Sequence, residues 1–361
     1  MLPPPTGLDS GGPRRTALLV RVAGGGVIVA AWLALLVPLV LVGRRAIALW
    51  PSWSVYRAQA VAQRSEAEGA LLEDHPTLGW VPRAGATWSI DPVPGEHDGG
   101  VWRINRLGFR ADHDPTPEPA PGITRVVALG DSFTFGTGPR EDGWPAQLEA
   151  ALPGHEVLNL GVPEYDVGQM LALWEERGRA LHPHVVVVAV IASDLHRATA
   201  PRAHSGRARP LHQLIDGELR RIQVPVPPPV EPGRPLDGPF GFFRFVATGV
   251  VQGELHDRPL EPELPKALVA ALLRSVRGSG ARPVLAYLPI HGSAGGEVPR
   301  LLVDVARAES VALVDLEPIL TVREDGPPVD GPWFLPDFHH NRAANALLAA
   351  ALADVIRESL P

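Results

Sequence analysis

Two short stretches far apart in the chain carry residue types suited to acyl chemistry. Ala128 to Gly138 reads ALGDSFTFGTG, and Asp337-Phe338-His339-His340-Asn341 stands just before the last helical segment. A serine hydroxyl is a weak nucleophile and needs a general base within hydrogen-bond reach. Ser132 follows a short apolar run, so a strand-to-helix turn there lifts its hydroxyl above a sheet, with backbone N–H groups close by. Asp337 and His339 supply the other half: a carboxylate to orient the ring, and an imidazole whose far nitrogen can face Ser132. Gly-Asp-Ser alone is a common turn, and a lone histidine is more often structural than catalytic. Their order along the chain makes them a set, with the serine after the first strand of a domain and the Asp/His pair before its last helix.

The elements that must position these residues are readable from Thr124 onward. RVVALG, HEVLNLG, HVVVVAVIA, RPVLAYLPI and VALVDL read as five strands. HVVVVAVIA is apolar on both faces, as a central parallel strand requires. Helical spacing separates the strands, in EDGWPAQLEAAL, VGQMLALWEERGRAL, Leu264 to Arg277, Val298 to Ala308, and Asn341 to about Arg357. Strands alternating with helices predict an α/β fold: a three-layer, doubly wound (flavodoxin-like) parallel five-stranded sheet. In such a sheet ligands bind beyond the carboxyl ends of the strands, where the strand order reverses. Ser193-Asp194 and His291 also fall at strand ends, and Asp194 reads as a residue that orients the site loop. Ahead of this domain, DHPTLGWVPRAGATWSI and GGVWRINRLGFR predict a small antiparallel β-rich module, followed by the linker DPTPEPAPG. Arg197 to Glu263 is a long proline-rich insertion, of a length usual for a functional flap.

Composition narrows the remaining possibilities. A net charge of −7 offers no general case for nucleic-acid binding, and the absence of cysteine excludes disulfides and thiolate chemistry. The chain contains no Gly-x-x-x-x-Gly-Lys, and GDSFTFGTG does not supply Gly-x-Gly-x-x-Gly, so no nucleotide cofactor is expected. Adjacent His339 and His340 point apart on any regular backbone, so no metal is expected either. Val22 to Gly43 is 22 residues without a charge. As a helix it rises about 33 Å, enough for a hydrocarbon core of about 30 Å. An uncleaved single membrane anchor is therefore expected, since a signal peptide's apolar region is usually only ~7–15 residues long. The domain boundaries that follow are a disordered N-terminus (1–15), an anchor (16–45), a juxtamembrane helix (46–72), a β-rich cap and linker (73–122), and the α/β domain (123–361) with its insertion at 197–263.

The chain resembles the SGNH/GDSL hydrolases, in the subset that carries an N-terminal membrane anchor in bacteria. ALGDSFTFG resembles the family's first block, VLNLGVPEYDVGQ the second, VVVVAVIASDL the third and DFHHN the last. The resemblance implies Ser132 as nucleophile, and an oxyanion hole from the N–H of Ser132, the N–H groups near Gly161 to Glu164, and Ser193. It also implies supporting roles for Asp131, Asp194, His340 and Asn341. Two positions depart from the family pattern. Glu164 stands where an oxyanion glycine is expected, and Ser193 where an asparagine is expected. Losing one oxyanion donor costs on the order of 2.7–4 kcal/mol in the barrier. The family's Asp-x-x-His spacing pairs Asp337 with His340, whereas His-x-Asn pairs His339 with Asn341; the second is favoured here. The expected activity is ester hydrolysis on an acylated glycan or lipid outside the cytoplasm (periplasmic side), without cofactor. O-acyl transfer with the same triad, or a catalytically weak glycan-binding or scaffold domain, are the alternatives.

Overall fold

The computed structural model describes residues 69–93, 96–203, 205–228, 260–290, 296–320, 333–335 and 337–359. The expected anchor, nearly all of the juxtamembrane helix, the aromatic part of the insertion and His291 lie outside those residues. Among the described residues no helix is long and apolar enough to cross a membrane.

The front module is built from two antiparallel hairpins. β1 (Leu72–His75) pairs with β2 (Gly79–Pro82), and β3 (Thr87–Ile90) with β4 (Gly100–Arg103). The helical composition ahead of the module stops at Leu71, because Leu72 already opens β1. Then come β5 (Thr124–Leu129), the one-turn α1 (Ser132–Phe135), α2 (Trp144–Ala151), β6 (His155–Asn159), α3 (Val167–Leu173), β7 (Val185–Val190) and α4 (Ala192–His196). The described part of the insertion folds into the hairpin β8 (His212–Ile215) and β9 (Glu218–Arg221). The chain then continues through α5 (Glu263–Gly278), β10 (Arg282–Tyr287), α6 (Glu297–Glu309), β11 (Ala312–Asp315), α7 (Glu317–Leu320) and α8 (Arg342–Ser359).

β5, β6, β7, β10 and β11 form one parallel sheet in the order β11-β10-β7-β5-β6. Counted from the β6 edge this is the doubly wound order 2-1-3-4-5, and the order reverses between β5 and β7. The period-two geometry of a strand divides the β7 valines cleanly. Val186, Val188 and Val190 face a core layer shared with α3, α5 and α6. Val185 and Val187 face a second layer made by Trp144 and Leu148 of α2 and Leu348, Leu352 and Ile356 of α8. Helix α5 shows the same logic at its own period. Leu268, Leu272 and Val276, four residues apart, are fully buried, while Arg274 and Arg277 on the opposite face reach Glu309 at the end of α6.

The front module is fastened to the sheet domain by buried polar contacts. Trp80 Nε1 donates to Pro163 O (2.9 Å), and the Tyr165 hydroxyl donates to Trp80 O (2.5 Å). Asp166 and Gln169 close a capping box at the start of α3, and Gln169 Nε2 also donates to Leu78 O (2.8 Å). Arg209, from the insertion, lies 3.3 Å from Asp166 and over the Trp80 ring.

Candidate active site

Gly130 ends β5 where a side chain would collide with Thr134, and the chain turns at once into α1. Asp131 caps that turn, its Oδ1 accepting from Phe133 N–H (2.9 Å). The turn brings Ser132 to the carboxyl edge of the sheet at the reversal point between β5 and β7. Ser132 is buried, at 4% exposure. Its Oγ lies 2.8 Å from His339 Nε2 and 3.5 Å from Asp131 Oδ2. Asp337 Oδ2 lies 3.1 Å from His339 Nδ1, at ion-pair distance but off the line of a hydrogen bond, and Asp337 Oδ1 accepts from the His339 backbone N–H (3.2 Å). The Phe133 ring packs against the His339 imidazole with centroids 4.6 Å apart, which fixes the plane of the ring.

His340 points elsewhere. Its Nε2 lies 2.8 Å from Pro289 O, and Phe133 meets it edge-on. Burial pushes its pKa down to about 4, so near neutrality it is a neutral ring that donates from Nε2 to that carbonyl. Asn341 caps α8, with Oδ1 accepting from Ala343 and Ala344 N–H (both 3.1 Å). Both residues shape the ground under His339 and neither reaches Ser132.

The residues expected around an oxyanion are distributed unevenly. Gly161 N–H donates to Asn159 Oδ1 (2.9 Å), and a Cβ at Gly161 would press into the backbone of α1. That glycine is thus explained by close packing of the β6 end on the nucleophile turn. Glu164 has φ +62°, the left-handed region that glycine tolerates best. Its carboxylate is turned to the insertion, Oε2 accepting from Ser205 Oγ (2.8 Å), and its carbonyl accepts from Arg209 (3.0 Å). Ser193 is buried in the first turn of α4, directly past β7. Asp194 Oδ2 accepts from Ile191 N–H (2.9 Å), and so ties down the loop between β7 and α4.

Two arginines complete the surroundings, and neither stands out in the sequence. Arg197 NH1 sits 3.1 Å from Asp194 and 3.3 Å from Asp131, bridging the turns that follow β5 and β7. Burial, together with the nearby Asp131, pushes the Asp194 carboxyl well above the usual carboxylate range, and Arg197 opposes that push. Arg110, the last residue of RLGFR in the front module, is buried, and its guanidinium donates to the carbonyls of Phe135, Gly136 and Gly138 at the end of α1 and just past it. The i to i+3 spacing of Asp194 and Arg197 on a helix is a faint signal for the first of these, and nothing local signals the second.

A buried serine bonded to an imidazole, with a carboxylate at the ring's other nitrogen, is an arrangement that can move a proton off the hydroxyl as it attacks a carbonyl. Residues 128–248 match the model of the GDSL-like Lipase/Acylhydrolase family. That stretch resembles a GDSL-like acylhydrolase domain. That family works on ester bonds, and the matched stretch includes Ser132, Glu164 and Ser193 but ends before Asp337 and His339. Solved structures with similarity to the chain include a GDSL-like lipase from Bacteroides thetaiotaomicron (11% identity, 67% of this chain and 92% of that one, TM-score 0.41). A lipase/acylhydrolase from Enterococcus faecalis is also similar (13%, 66% and 98%, 0.41). So is a catalytic mutant of an acetylxylan esterase from Geobacillus stearothermophilus (17%, 64% and 94%, 0.40). No curated protein matches the chain.

Proposed function

We propose that the chain is a serine esterase that removes O-acyl groups through Ser132, His339 and Asp337. The observation that carries this reading is the 2.8 Å contact between Ser132 Oγ and His339 Nε2, with Asp337 beside the other ring nitrogen. Ser132 Oγ attacks the ester carbonyl while His339 Nε2 takes its proton, and Asp337 holds the ring and balances the imidazolium charge. The alcohol leaves with the proton from His339, and water repeats the cycle on the acyl-serine. The N–H of Ser132 and the hydroxyl of Ser193 face the developing oxyanion in this reading; with Gly161 N–H committed to Asn159, Glu164 contributes through its backbone. Such preorganised donors act where charge develops, in a site closed to bulk water. The reading includes a tether through Val22–Gly43 and an acylated glycan or lipid on the outer side of the membrane, both of which rest on the sequence. With p-nitrophenyl acetate, Ser132→Ala is expected to lower kcat by roughly 10⁴. Turnover unchanged in that variant removes the assignment.

A further inference from the structure

A small space opens directly beside Ser132, and part of its wall comes from the front module and not from the sheet domain. Leu71, Leu72 and Trp102 of the front module line one side, and Phe135 and Pro163 the other, so the lining is carbon almost throughout. We propose that this space is the acyl subsite and that it admits an acetyl group while excluding longer chains, a proposal that rests on the esterase reading above.

Size is the first argument. The space leaves about 10 Å³ for the centre of a water-sized sphere, which is room for one small group such as a methyl. The second argument is the rigidity of the walls. Trp102 and Phe135 meet edge to face with centroids 5.5 Å apart, and the Arg110 guanidinium lies against both rings. Trp102 Nε1 is held by Gly138 O (3.0 Å), so its polar atom is satisfied and the ring cannot swing aside without losing that bond. Leu71, Leu72, Trp102 and Phe135 are each less than 5% exposed. Forcing extra methylenes against such close-packed walls is unfavourable, because side chains must leave their rotamers.

The test is an acyl-length series on the full chain, measuring kcat/KM for p-nitrophenyl acetate, butyrate and octanoate. Wild type is compared with Ser132→Ala as the background, and with Trp102→Ala and Leu72→Ala as openers of the space. The proposal expects acetate to exceed butyrate by roughly tenfold or more, octanoate to be weaker still, and either opener to narrow the ratio at least threefold. Ser132-dependent turnover of butyrate or octanoate equal to that of acetate overturns the subsite and leaves the esterase reading standing. Absence of Ser132-dependent turnover on every ester overturns both. If the openers do not fold, as judged by circular dichroism, the wild-type profile alone decides the question.

Discussion

Arg110 gives the sharpest handle on how the front module supports the serine. Its guanidinium donates to three carbonyls at and just beyond the end of α1: Phe135, Gly136 and Gly138. Arg110→Met keeps most of the apolar stem and removes every donor. The carbonyl of Gly136 is only partly buried and water can replace its partner, but those of Phe135 and Gly138 are buried. A buried carbonyl left without a partner costs about 1–3 kcal/mol, so two cost about 2–6 kcal/mol. Relief works in the other direction, because burial holds the Arg110 pKa down at about 9, and a buried charge disappears with the side chain. The balance is expected at about 3 kcal/mol of lost stability. Urea unfolding followed by tryptophan fluorescence measures it, with the slope checked so that only the midpoint moves. Arg110→Lys is expected to recover less than half, since a single ammonium cannot fork to three carbonyls. A value for Arg110→Met within 1 kcal/mol of wild type refutes the reasoning, because the carbonyls then find other partners unaided.

Other consequences can be checked with the same assay. Gly136 has φ +84°, and a Cβ there would lie 2.7 Å from Arg110 NH1, so Gly136→Ala is expected to cost about 2 kcal/mol or more. Glu164→Gly relieves a left-handed backbone but gives up the Ser205 bond, and is expected to stay within about 1 kcal/mol of wild type, whereas Glu164→Ala keeps the strain and loses the bond. His340 and His212 both have folded pKa values of about 4 through burial, below the ordinary 6.5. The unfolded chain therefore binds protons first as pH falls, so stability is expected to decline from about pH 6.5 towards 4, by about 2 kcal/mol per histidine at pH 5. Asp194, pushed upward, works in the opposite sense, so the reading is the flatter slope of His340→Gln against wild type.

Much of the fold was open to sequence reasoning because it rests on local periodicity. The β-branched run at Val185–Val190 and the four-residue spacing in α5 each name an element and its buried face without reference to anything distant. Alternation of such elements then gave the doubly wound sheet, and the sheet gave the place where Ser132 had to stand. The approach of His339 to Ser132 followed from their positions in that order. What stayed hidden depends on pairings across the chain. Arg110 is one arginine among many until its partners 25 to 28 residues away are known. Gly161 looked like a donor to substrate, yet Asn159, two residues earlier, takes its N–H, a bond that requires the bend after β6. The His-x-Asn spacing favoured His339 over His340 but could not say what each ring meets: Ser132 for one, the Pro289 carbonyl for the other.

The central claim, that Ser132 is activated by His339, is tested most directly by covalent labelling with a fluorophosphonate at neutral pH. Phosphonylation of an unactivated serine is negligible, so the adduct reports the base as well as the nucleophile. A single adduct on Ser132 is expected in the wild type and in His340→Gln, and none in Ser132→Ala or His339→Ala when each is folded. Labelling that survives in His339→Ala, or a folded wild type that takes up no probe, contradicts it.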